Sequence, residues 1–389
     1  MGSGTAKSIL CVHQGTELYG SDRSFVHAVS ALASSGQGQP EVLLPGRGEI
    51  EILLAQAGLN GPTVRHLWIL RKAGLLRDMS LGLPRNIGAL RRAIRDLRRA
   101  KTVYVNTAVV LDFTLASILI GRRLIVHVRE IPTGLALAVL RRLLIVSHAG
   151  VIFNSQATAA AFDLPAAQPQ RIVHNGYPQP ARFEKERYTG DRPLRVLCIG
   201  RLNAWKGQDA LVEACAAIPK PVRHRFDVQI VGGVYGGQEH FRQRLIAAIA
   251  QNGLGGMVRL IGSVGDPSGL YRNADVVVVP STQPEPFGRV AIEAMAHHCA
   301  VVASDHGGLR EIVVAGRTGK LIPPAKPDRL KDALLAYSAA PELVCQHGAS
   351  GHQRYLERFT QDACDAAFLQ AFADLEPRET TRSRRLQRA

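Results

Sequence analysis

Acidic residues are scarce in this chain: 32 Asp and Glu stand against 48 Lys and Arg, a formal charge of +16 over 389 residues. An excess of that size calls for an anionic partner or surface. Cysteine is sparse too. Cys11, Cys198, Cys215, Cys299, Cys345 and Cys364 show no Cys-x-x-Cys spacing, which argues against a zinc site or a disulfide framework and for reduced thiols in a core. No stretch has signal-peptide character. The longest apolar run, Gly134 to Val146, is interrupted by Arg141 and Arg142, so nothing supplies the roughly 20 apolar residues of a membrane span. A cytoplasmic location is expected. Two signatures are missing altogether. Without an Asp-x-Asp element there is no ready carboxylate pair to hold a divalent ion on a diphosphate, so no metal and no other cofactor is expected. Without a Gly-x-Gly-x-x-Gly after any predicted strand, a nicotinamide dehydrogenase is the least favoured enzyme class.

What is present is a chain that is 46% hydrophobic and long enough for two cores. Short apolar runs alternate with helical patterns throughout, which predicts an α/β protein with parallel sheets covered on both faces. Strands are expected at Ser8 to Gln14, Glu41 to Leu44, Thr102 to Asn106, Leu124 to Val128, Val151 to Asn154 and Arg171 to His174. The pattern fails between Gly176 and Arg192, a Pro- and Gly-containing linker. A second series follows at Leu194 to Gly200, Phe226 to Val231, Val258 to Ile261, Val276 to Pro280, Ala300 to Ser304 and Lys320 to Ile322. The expected domains are residues 1–187 and 188–359, then a helix over 360–375 returning to the first domain and a basic tail over 376–389. Ligands of such folds bind at the carboxyl ends of the strands.

Two strand ends in the second half carry chemistry. Pro280-Ser-Thr-Gln-Pro-Glu-Pro-Phe-Gly-Arg-Val-Ala-Ile-Glu places Glu285 on a loop and Glu293 a turn or so inside the following helix. A carboxylate accepts two hydroxyls at once, so this pair suits a sugar diol and a ribose diol. The amides of Phe287, Gly288 and Arg289 open the helix and point donors at an anion or at sugar hydroxyls. Gly200-Arg-Leu-Asn-Ala-Trp-Lys-Gly follows the first strand of the same half, and there Arg201 and Lys206 can bracket a diphosphate.

With Asp305-His-Gly-Gly-Leu-Arg-Glu and Gly316-Arg-Thr-Gly-Lys-Leu in the same order, these motifs resemble the retaining glycosyltransferases of family 4, within glycosyl transferases group 1. The resemblance implies the GT-B fold, two facing Rossmann-like doubly wound domains with a cleft between them. It also implies that Arg201 and Lys206 bind the donor diphosphate, Glu285 the transferred sugar and Glu293 the ribose. Gly15, Gly232, Gly262, Ser263 and Val264 are further donor-side candidates, the last three near the base. Glu17 and Gly20 in the Gly15–Ser24 loop, with Asn106 and Asn175 at later strand ends, are acceptor-side candidates. Family members often carry a histidine at the strand end that here reads Ile125 to Glu130. Either His127 takes that place, or Arg129 and Glu130 stand for the usual His–acid pair. All three are catalytic candidates alongside Glu285.

The implied activity is retaining transfer of a hexose from a GDP- or UDP-linked sugar to a glycan or a polyprenyl- or other lipid-linked acceptor. A nucleotide-sugar epimerase and a non-catalytic sugar-nucleotide or membrane-surface binding module are the alternatives. Between Arg65 and Lys101, eleven Lys and Arg face only Asp78 and Asp96, interleaved with Trp68, Ile69, Leu70, Leu75 and Leu76. Such a stretch suits an anionic membrane surface and predicts a peripheral protein at the inner leaflet. A solvated helix face is the alternative. No nucleic-acid-binding motif accompanies the charge, so a nucleic-acid partner is not expected.

Overall fold

In a computed structural model that describes residues 8–17, 20–36, 39–59, 61–70, 83–234 and 236–376, the chain divides into two compact units. The first combines residues 1–174 with 364–389; the second spans 175–363. The break falls thirteen residues before the expected 187. Residues after His174 belong to the second unit because their polar groups are satisfied there: the Tyr177 amide donates to the Phe359 carbonyl (3.0 Å) and Lys185 Nζ to the Tyr271 and Arg272 carbonyls (both 3.0 Å).

The first unit is a parallel sheet of β1 (Ile9–Val12), β2 (Glu41–Leu44), β3 (Thr63–Val64), β4 (Thr102–Val105), β5 (Ile125–Val128), β6 (Gly150–Phe153) and β7 (Gln170–Ile172), in the spatial order β3-β2-β1-β4-β5-β6-β7. β1, β4, β5 and β6 are buried along their whole length, the mark of strands covered on both faces. On one face, Ala93 and Leu97 of the Leu83–Arg99 helix join Phe113, Leu140, Leu144 and Phe162 in a single core. On the other, Phe25 and Leu32 pack with Phe368, Ala371, Phe372 and Leu375 of the Gln361–Leu375 helix. That helix approaches β6 so closely that a Cβ on Gly150 would stand 3.0 Å from Leu375 Cβ.

The second unit is a parallel sheet of β8 (Leu194–Ile199), β9 (Phe226–Val231), β10 (Val258–Ile261), β11 (Val276–Val279), β12 (Ala300–Ser304) and β13 (Gly319–Ile322), ordered β10-β9-β8-β11-β12-β13. In both units the strand order reverses once, between β1 and β4 and between β8 and β11. In doubly wound sheets, ligands bind outside the carboxyl ends of the strands at such reversals.

Two expectations need correcting. The two-residue strand β3 was not foreseen, being too short and too exposed to show an apolar run. Trp68, Ile69 and Leu70 are not exposed membrane-facing groups but half-buried residues packed on the first core. Exposed aliphatics lie elsewhere on that side of the sheet, at Leu83 and Ile87 and at Leu135, Val139 and Val146. Arg71, Lys72, Leu75, Leu76, Arg77 and the tail beyond residue 376 lie outside the described residues.

Candidate functional site

In the second unit the loops after β8 and β11 meet at the reversal. The loop after β8 turns back through Gly207, whose φ is +75° and whose added Cβ would lie 1.9 Å from the Pro280 carbonyl oxygen. Only glycine lets the backbone lie that close to the end of β11. Within the loop, Asn203 Oδ1 accepts from the amides of Trp205 (3.1 Å) and Lys206 (3.0 Å), a local turn that holds Lys206 in place. The Trp205 carbonyl takes the Thr282 amide at 2.7 Å, which ties the two loops together.

Across this junction Lys206 Nζ donates to Glu285 Oε1 at 2.6 Å, and Ser281 Oγ donates to the same oxygen at 2.6 Å. The Glu285 side chain is 6% exposed and that of Lys206 22%, so the pair is largely desolvated; the Trp205 ring backs the ammonium, 4.4 Å from its centroid. The Asp305–Gly308 segment supports the acid from behind. The Gly308 amide donates to the Glu285 carbonyl at 2.9 Å, and His306 Nε2 donates to the Ser281 carbonyl at 2.7 Å. Glu293 sits in the Arg289–Ala296 helix with Oε2 accepting from the Tyr271 hydroxyl (2.8 Å) and Oε1 3.4 Å from Arg289 Nε. Each acid of the expected pair therefore receives one buried hydroxyl and one cation.

The remaining donor-side candidates are placed as follows. Arg201 is half-buried at the start of the β8 loop, its carbonyl accepting from Gln208 Nε2 at 3.0 Å. The Phe287 side chain is buried in the core, 6.1 Å from Phe359 by ring centroids, so it packs the fold rather than lining a ligand site. Gly288, with φ +106°, caps the helix. Gly232 spends its amide on the Ile261 carbonyl at 3.1 Å, and its lack of Cβ admits the Gly200 carbonyl. Gly262, Ser263 and Val264 follow β10, two strands from the reversal, and Ser263 and Val264 are exposed.

The first unit holds a buried polar chain at its own reversal. Arg129 Nε donates to Asn106 Oδ1 at 2.6 Å, and a guanidinium can only donate. Asn106 Nδ2 must then donate to His13 Nδ1 (3.0 Å), which leaves His13 Nε2–H to donate to Asp22 Oδ1 at 2.9 Å. Burial holds the His13 imidazole below its ordinary pKa despite Asp22, so the ring is neutral. Gly15 makes room for this contact: a Cβ there would stand 2.1 Å from Asp22 Oδ1. Gly15, a donor-side candidate, lies against the His13–Asp22 pair.

Tyr104 extends the chain, its hydroxyl 3.0 Å from Asn106 Oδ1 and 2.8 Å from His127 Nδ1. His127 itself is 2% exposed, stacks on Phe368 and has no partner for Nε2 among the described residues. Burial, then Arg129, holds its pKa well below the usual value. Glu130 accepts from Thr107 Oγ1 (2.9 Å) and the Ala108 amide (2.8 Å) on one oxygen and from the Arg129 amide (3.0 Å) on the other, while burial pushes its pKa up. Of these three candidates at the end of β5, His127 is buried, while Arg129 and Glu130, just past the strand, are both half-buried.

Glu17 is exposed, and the Gly20 carbonyl, at a helix start, accepts from Ser24 Oγ at 2.9 Å. Asn175, expected on the first domain, is a buried residue of the second unit. The sequence did not single out Ser281, Tyr271, His13, Asp22 or Tyr104. Four of them lie in or beside segments that it did mark; their position near strand ends was the available signal.

Residues 181–352 match the family model described as Glycosyl transferases group 1, so the second unit carries a domain of that group. The lipopolysaccharide core biosynthesis mannosyltransferase LpcC of Rhizobium leguminosarum bv. viciae is 34% identical over 153 residues, 39% of this chain and 43% of the relative. A D-inositol 3-phosphate glycosyltransferase of Actinosynnema mirum is 34% identical over 200 residues, 49% of this chain and 47% of the relative. The chain thus spans less than half the length of these curated relatives. Among solved structures, Anabaena Alr3699/HepE in complex with UDP-glucose superposes with a TM-score of 0.79 at 23% identity, covering 95% of this chain and 100% of that one. The two Rossmann-like parallel sheets are those of a GT-B fold.

Proposed function

We propose that this chain is a retaining, metal-independent glycosyltransferase of family 4 that moves a hexose from a UDP- or GDP-linked sugar to a glycan or lipid-linked acceptor in cell-surface polysaccharide or glycolipid synthesis. The observation that carries it is the Lys206–Glu285 ion pair at the strand-order reversal of the group 1 domain. An acid that binds sugar hydroxyls is there in direct contact with a cation that can neutralise a departing diphosphate. The Anabaena neighbour's complex with UDP-glucose favours UDP as the carrier.

The chemistry needs little else from the protein. Lys206 and Arg201 stabilise charge on the leaving diphosphate as the bond between the sugar C1 and the phosphate oxygen breaks. Glu285 orients the sugar. The acceptor oxygen attacks C1 from the same side, and its proton passes to the departing phosphate oxygen. Of the candidates at the β5 end, Arg129 fits a contact with the acceptor best, since His127 is buried and both carboxylate oxygens of Glu130 already accept hydrogen bonds from Thr107, Ala108 and Arg129.

The test is a transfer assay with UDP- and GDP-hexoses in EDTA, with product stereochemistry read by NMR. We expect undiminished turnover and an α-linked product from an α-linked donor. Loss of turnover on chelation, with recovery in Mg²⁺ or Mn²⁺, rejects metal independence; a β-linked product rejects retention.

The same proposal places the acceptor at an anionic membrane surface, and the protein on the cytoplasmic leaflet. The Leu83–Arg99 helix exposes Leu83 and Ile87 beside Arg91, Arg95 and Arg98, and on the same side of the sheet the Gly134–Val146 helix exposes Leu135, Val139 and Arg142. Each cation near such a surface contributes about 1 kcal/mol. Reversing Arg91, Arg95 and Arg98 to Glu should weaken co-sedimentation with phosphatidylglycerol vesicles by more than about tenfold and leave phosphatidylcholine binding unchanged. Equal binding of wild type and variant to both vesicles contradicts the electrostatic role.

A further inference from the structure

We propose that Tyr271 is a positioning residue that aims Glu293 at the ribose diol of the nucleotide, an inference that rests on the donor-site assignment above. Tyr271 is fully buried on the short Ser268–Asn273 helix that precedes β11, and its hydroxyl donates to Glu293 Oε2 at 2.8 Å. Burial and the neighbouring carboxylate keep that hydroxyl protonated, so it serves as a donor only toward the acid. Arg289 Nε approaches the other carboxylate oxygen, at 3.4 Å.

The carboxylate plane is therefore set by two groups on different elements. A third fixes the main chain: His297 Nδ1 donates to the Glu293 carbonyl at 2.8 Å, and its ring stacks on Tyr271 with centroids 5.3 Å apart. With both carboxylate oxygens already engaged, each still has a second lone pair, and its direction is fixed. Two acceptors held at fixed directions match the two adjacent hydroxyls of a ribose. A carboxylate free to rotate would lose that match along with its rotamer entropy.

Tyr271 does not need its hydroxyl to stay in place. Its carbonyl accepts from Lys185 Nζ (3.0 Å) and from Cys299 Sγ (3.1 Å), and its ring lies in an apolar core of the second unit with Ala291 and Met295. Tyr271→Phe therefore removes the oxygen and keeps the packing, which makes it the informative variant.

The probes are UDP and GDP and their 2′,3′-dideoxy counterparts, titrated calorimetrically into the full chain. Wild type should bind one ribonucleotide clearly more tightly than its dideoxy form. In Tyr271→Phe the ribonucleotide Kd should rise about fivefold to tenfold, while the dideoxy Kd stays within about twofold; tenfold corresponds to about 1.4 kcal/mol. In Glu293→Gln the added Tyr271→Phe change should have no further effect on the ribonucleotide. If Tyr271→Phe weakens both nucleotides alike, or weakens neither, Tyr271 acts on the fold alone and the inference is overturned. If wild type itself does not distinguish ribo- from dideoxynucleotide, the ribose role of Glu293 fails, and this inference with it.

Discussion

Replacing Glu285 by alanine should lower kcat by about 10²–10³-fold, the scale of losing one preorganised polar contact in a desolvated site. Glu285 is buried and held by Lys206 and Ser281 at its side chain and by Gly308 at its carbonyl, so its position is set before any ligand arrives. The loss should fall on turnover because the fold survives. Lys206, 22% exposed on its side chain, can turn to water, and the stranded group is the Ser281 hydroxyl, which costs about 1–3 kcal/mol when left without an acceptor. That is affordable against the 5–15 kcal/mol typical of a folded domain. A melting curve near that of wild type with turnover reduced at least a hundredfold is the expected pair of results. Near-wild-type turnover removes Glu285 from the reaction.

Lys206→Ala should give the opposite balance of stability and an equal loss of activity. Removing the cation leaves a buried carboxylate with a hydroxyl and no counter-charge, a change that destabilises by up to about 3–5 kcal/mol when the pair is fully enclosed and by less here, since Lys206 is partly exposed. It also removes the charge expected to stabilise the leaving diphosphate, so kcat should drop by about 10²–10³-fold. The double variant Lys206→Ala/Glu285→Ala should melt higher than Lys206→Ala alone, because the stranded acid is gone. It should be no less active than either single variant, because groups that act as a unit are not additive. Activity losses that multiply in the double variant would show two independent roles and contradict the paired site.

The alternation of buried runs and amphipathic stretches was enough to place twelve of the thirteen strands within a residue or two, since a parallel strand covered on both faces has to be apolar throughout. Gly207 and Gly288 sit at positive φ, where other residues are strained, and of the two the sequence marked only Gly288, as the opening of its helix. The motifs around Lys206 and Glu285 marked the two loops that meet at the strand-order reversal. Trp68 to Leu70 misled because an apolar residue in a basic stretch looks the same whether it faces lipid or packs on a neighbouring core.

By itself, then, the sequence determined the α/β class, the positions of twelve strands and the loops that carry Lys206 and Glu285. Which loops touch was decided by tertiary structure. Lys206 and Glu285 lie 79 residues apart, and His13 and Asn106 lie 93 apart. They meet because β8 lies beside β11 and β1 beside β4. That order is not encoded in the strands one at a time. Runs such as Val276–Val279 and Ala300–Ser304 present nearly the same apolar surface, and the choice of neighbour rests on how the helices pack across the whole sheet.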